Sequence, residues 1–109
     1  MELTKNIKRQ IRELAHLLYQ RELNAELAQL DAHFEQWRQG SLSPFDLAAQ
    51  IHEFHQKPAK QLWLRFADDK PYPMFVAKAV VDGTLTEEEV PADVREALAE
   101  KIVFCENNR

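Results

Sequence analysis

Glycine is nearly missing from this 109-residue chain, with Gly40 and Gly83 the only two. A protein of tight hairpins needs many residues that tolerate positive φ, so the scarcity argues against a mostly β fold and for long helices. Cysteine occurs once, at Cys105, so no internal disulfide can form. A lone cysteine points to a reducing compartment, and the expected location is cytoplasmic. No apolar run approaches the roughly 18 residues that span a bilayer. The opening MELTKNIKRQIREL is charged throughout and holds no apolar h-region, so it reads as helix rather than secretory signal. Also missing are a Gly-x-Ser-x-Gly elbow, a P-loop and His-Glu-x-x-His, which removes the sequence signatures of three common catalytic classes.

What remains is a soluble, helix-rich composition: 45% apolar, 29% charged, with a formal charge of −4. One domain spanning residues 1–109 is expected. The charge is unevenly spread, with three basic and eight acidic side chains over residues 81–109. That acidic third repels phosphate backbones, so nucleic acid is not an expected partner. Lys5, Lys8, Arg9 and Arg12 form one basic cluster, which reads as a solvated helix face.

Residues 5–38 contain neither proline nor glycine. Thr4 suits an N-cap and Gly40 suits the position just past a helix end, so one helix of about 34 residues, roughly 50 Å long, is expected. Its apolar residues fall into two runs, Ile7, Ile11, Leu14, Leu18 and then Leu23, Leu27, Leu30, Phe34, Trp37. Each run has the 3.5-residue period of helix-on-helix packing, but the two are out of register. The halves on either side of Tyr19 to Asn24 are therefore expected to meet different partners. A rod this long carries more apolar surface than one small domain covers, which argues for a second chain.

Ser43-Pro44-Phe45-Asp46 reads as a helix start, with Ser43 capping, Pro44 at the first helical position and Asp46 as a capping-box acid. Pro58 interrupts this second helix, and a kink in a continuing helix is expected there. Asp68 to Pro73 reads as a turn. Residues 73–83 are apolar on nearly every side; Pro73 before and Gly83 after favour a short buried helix over a strand. Thr86 to Glu89 resembles a one-turn capping box, and Pro91 opens a last helix with Val94, Leu98, Ile102 and Cys105 inward. The expected fold is all-α: an antiparallel helical bundle with a long N-terminal helix, a kinked second helix and two shorter C-terminal helices.

Two constellations bear on function. His52 and His55 share a helix face, and an antiparallel turn near Gly40 sets His33 within about one turn of His52 and Glu26 level with His55. His33, His52, His55 and Glu26 are thus a candidate metal set, with zinc the metal such ligands would take. The spacing is unspecific, since the His-x-x-His pair lacks the intervening glutamate geometry of zinc proteases. A di-iron reading needs two Glu-x-x-His pairs, and Glu13 with His16 is the only one. The plainer reading gives the imidazoles ordinary hydrogen bonds at a helix interface. Cys105 reads likewise as a small buried hydrophobe.

The second constellation is Leu62-Trp63-Leu64-Arg65-Phe66. Its large apolar residues cannot all point inward from one helix, so Trp63 or Leu64 is expected to be exposed or to meet another chain; Trp63, Leu64 and Phe66 form the candidate partner site. The leading expectation for function is a non-enzymatic cytosolic protein that homodimerises or binds another protein, without a cofactor. The alternative is a metal-binding regulator or enzyme built on His52, His55 and His33.

Overall fold

The computed structural model describes residues 3–66 and 72–108, and every regular element among them is helical. Helix α1 runs Lys5–Arg38, α2 Pro44–Phe54, α3 Lys60–Phe66, α4 Tyr72–Asp82, α5 Ala92–Ala97 and α6 Ala99–Asn107. A π-helical turn, His55–Ala59, joins α2 to α3. The turn expected over Asp68 to Pro73 lies outside the described residues, apart from Tyr72 and Pro73 within α4.

The helix ends follow local chemistry. Thr4 Oγ1 accepts from the Ile7 N–H at 3.1 Å, and Ser43 Oγ accepts from the Asp46 N–H at 3.0 Å. Each satisfies a donor that has no partner inside its own helix. Both glycines adopt the left-handed conformation, with φ 81° at Gly40 and 80° at Gly83. At each, two bonds close a Schellman motif: Gly40 N–H to Trp37 O and Ser41 N–H to Gln36 O, then Gly83 N–H to Val80 O and Thr84 N–H to Ala79 O. Thr86 and Glu89 form a reciprocal box, Glu89 Oε1 accepting from the Thr86 N–H and Thr86 Oγ1 from the Glu89 N–H.

The chain divides into two compact units, Met1–Leu18 with Asp69–Arg109 and, separately, Tyr19–Asp68. Helix α1 contributes to both, and the division falls where its two apolar runs lose register. In the first unit Ile11, Leu14, Ala15 and Leu18 of α1 are buried together with Val76, Ala77 and Ala79 of α4. Leu85, Val90, Val94 and Leu98 complete that core. Helix α6 packs along α4. Gln10 Nε2 donates to Asp93 Oδ2 at 3.2 Å, tying α1 to the start of α5.

The helix expected from Pro91 onward is interrupted. Leu98 takes φ −97° and ψ 5°, outside ideal helix geometry, and separates α5 from α6. Its own N–H still reaches Val94 O and its carbonyl still accepts from Ile102, so the interruption is a bend rather than a break in bonding. Ile102 and Cys105 are half-buried, while Val103 and Phe104 are exposed.

In the second unit α1 reverses through residues 39–43 and the chain returns beside it. Tyr19 stacks on Phe66 with ring centroids 5.0 Å apart, and Arg65 Nη1 pairs with Glu22 Oε2 at 3.1 Å. Among the described residues the buried apolar ones here are few: Leu47, Leu62 and Phe66.

The π turn has a register logic. Phe54 and Leu62 are eight residues apart, which on a regular α-helix leaves them about 80° out of line; seven residues would leave about 20°. The wider π turn absorbs the extra residue and keeps Leu47 and Phe54 on the same side as Leu62 and Phe66. It also accommodates Pro58, which has no N–H to donate and whose ring would crowd the Phe54 carbonyl in a regular helix.

Candidate functional site

Helix geometry decides which side chains of the second unit face outward. On α3, Leu64 lies two residues from both Leu62 and Phe66, about 200° from each, so it points away from the core they form. It is 55% exposed and the adjacent Trp63 59%. Phe66, expected to join them at a partner surface, is instead buried, because its ring closes the core by stacking on Tyr19. Leu27 and Trp37 of α1, with Phe45 and Ile51 of α2, are further large apolar residues left exposed in this unit.

Grooves of different chemistry lie along the unit. In the first, of about 210 Å³, Glu26, Leu30 and His33 of α1 face Glu53, Phe54 and Pro58. Lys57 also lines it, and its ammonium pairs with Glu53 Oε1 at 3.2 Å. His33 Nδ1 is buried without a hydrogen-bond partner among the described residues. In the second, of about 560 Å³, Tyr19 and Leu23 of α1 face His55, Gln56 and Ala59 of the π turn, with Lys60 and Trp63 beyond them.

The expected metal set falls across this division. His33 and Glu26 line the first groove and His55 lines the second. His52 is exposed on α2, two residues before Phe54 and so on roughly the opposite face. No group of three or more His, Cys, Asp or Glu side chains that could hold a metal ion occurs among the described residues. Position along the helix axis, which the sequence supplies, does not fix the direction in which a side chain points.

Charged groups elsewhere act locally. Glu35 accepts from Arg38 Nε at 3.0 Å, Arg38 Nη2 at 2.7 Å and Gln39 Nε2 at 3.1 Å. The hydrogen bonds from Arg38, with its positive charge, hold the Glu35 carboxyl below its usual range. Lys5, Lys8, Arg9 and Arg12 are all exposed, with Arg9 Nη2 held by Asn6 Oδ1 at 2.6 Å. Cys105 is a half-buried free thiol on α6.

Sequence reasoning singled out Trp63 but not the larger groove it helps to line. That groove is lined by three residues of the π turn, the small Ala59 among them, and only Pro58 hinted at the turn. No helix among the described residues is long and apolar enough to cross a membrane. No protein family, curated protein or solved structure matches this chain.

Proposed function

We propose that this chain is a non-enzymatic, cytosolic association module whose residues 19–66 form an antiparallel helical hairpin that pairs with a second copy. One observation carries the reading: Trp63 and Leu64 stand side by side on α3, each more than half exposed, while the core beneath them is already closed by Leu62 and Phe66. Adjacent large apolar side chains left in water mark a surface that gains by being covered. Leu27, Trp37, Ile51 and Phe45 extend the uncovered apolar area over the same unit, and Phe45 is 84% exposed.

The size of the effect follows from exposure. Burying a whole leucine side chain is worth about 1.5–3 kcal/mol, so covering the exposed half of Leu64 contributes about 1 kcal/mol. A symmetric dimer counts that twice, about 2 kcal/mol, which is roughly 30-fold in the dissociation constant. Sedimentation equilibrium of the full chain should show a dimer at tens of micromolar, and Leu64→Ala should weaken it by that factor while leaving monomer stability within about 0.5 kcal/mol. A strict monomer at those concentrations overturns the proposal.

A further inference from the structure

The larger groove beside the π turn differs in composition from the smaller one. The chain carries a formal charge of −4, and the smaller groove contains Glu26 and Glu53. No carboxylate lines the larger one. Its apolar and aromatic lining comes from Tyr19, Leu23, Ala59 and Trp63. Its polar groups, His55, Gln56 and Lys60, all carry N–H donors. No hydrogen bond or ion pair occupies the ammonium of Lys60 among the described residues.

Its volume of about 560 Å³ falls within the range of small-molecule sites, which pair a mostly apolar lining with a few placed polar groups. The π turn supplies three of the lining residues, and such turns, costly in hydrogen-bond geometry, recur at functional positions. We infer that this groove binds a small amphipathic carboxylate. The apolar body lies along Leu23 and Ala59 between the rings of Tyr19 and Trp63, and the carboxylate meets the ammonium of Lys60 and the donors of His55 and Gln56. A charge-assisted contact to Lys60 selects an anionic head group over a neutral or cationic one. The inference does not rest on self-association: Trp63 belongs to both surfaces, but Leu64, which points away from the core side of α3, does not line the groove.

The test uses the full chain carrying Trp37→Phe, so that Trp63 alone reports by fluorescence, with decanoate and decyltrimethylammonium as probes. Decanoate should change Trp63 emission saturably below its micelle concentration. The cationic probe, and decanoate against Lys60→Glu, should each bind about tenfold more weakly. Lys57→Gln, in the other groove, should bind decanoate as the parent does. On the unsubstituted protein, NMR should show the indole N–H of Trp63 shifting with decanoate while that of Trp37 stays. No saturable response, equal affinity for both head groups, or an unaffected Lys60→Glu overturns the inference. Sedimentation of Leu64→Glu separates the two proposals: it should lose association yet still bind decanoate, whereas loss of decanoate binding there would overturn the site.

Discussion

Replacing Pro58 by alanine should leave the π turn in place, whereas deleting Pro58 should remove it. The reasoning is that apolar register, not the proline ring, holds the turn. If Pro58→Ala rewound His55–Ala59 into a regular α-helix, Leu62 and Phe66 would rotate by about 100° relative to Leu47 and Phe54. Both are buried now, and each loses about 1.5–3 kcal/mol on leaving the core, so rewinding costs about 3–6 kcal/mol. Against that stands roughly one regained backbone hydrogen bond, worth about 1 kcal/mol. Deleting Pro58 changes the comparison, because it removes the extra residue itself. Phe54 and Leu62 then sit seven residues apart and align on a regular helix. Backbone chemical shifts should report the turn retained in Pro58→Ala and lost in the deletion. Urea unfolding should place the Pro58 deletion within about 1 kcal/mol of the parent. Deletion of the exposed Ala28 is the control. It turns Leu30 and Phe34 away from the register of Leu23, two half-buried side chains worth about 1 kcal/mol each, so it should cost about 2 kcal/mol. A fully α-helical Pro58→Ala, or two deletions of equal cost, would refute the register argument.

Three further outcomes are expected. Leu98→Ala should destabilise by about 2–5 kcal/mol in urea unfolding, because Leu98 is completely buried between Val94 and α6 and its cavity has little room to collapse. The Glu35 carboxyl should titrate by NMR below the ordinary glutamate range in the parent and return toward it in Arg38→Gln. The sign follows from linkage: its folded pKa is depressed, so its contribution is present above the unfolded value and is lost as pH falls through the folded one. Added zinc should leave the melting temperature unchanged, since no side-chain cluster among the described residues gathers three ligands; an upward shift of several degrees would count against the observed separation of His33 from His55.

How much of this was legible depended on how far each signal reaches along the chain. Capping is settled within about four residues, so Thr4, Ser43, Gly40 and Gly83 announce helix ends that the structure places at those residues. The loss of register between Leu18 and Leu23 was equally visible, and it falls where the chain divides into its two units. The Leu98 bend was not, because leucine suits a helix interior and neither glycine nor proline marks the site. The second helix was legible at its Ser43 cap and its interruption at Pro58, but its apolar residues offer two consistent stripes. On a straight helix Ile51 and Leu62, eleven residues apart, align within about 20°. The structure leaves Ile51 exposed and half-buries Phe54 instead, in keeping with the π turn. Choosing between those stripes is a tertiary decision: Leu62 and Phe66 must meet Tyr19 on another helix before Phe54 is favoured over Ile51.

The same decision hid the larger groove. Sequence motifs signal chemistry through residues close in the chain, whereas this groove gathers Tyr19 and Leu23 of α1 with His55, Ala59 and Trp63, some forty residues later. Nor does the sequence show that Glu26 and Glu53 fall on one side of the unit while Lys60 and His55 fall on the other. The π turn sets that partition by rotating everything after Ala59 relative to α2. If register alone maintains the turn, removing the extra residue should leave the fold standing and erase the groove. The Pro58 deletion should therefore remain folded yet lose the saturable response of Trp63 to decanoate. A folded deletion variant that still binds decanoate as the parent does would show that the π turn is not what builds the site.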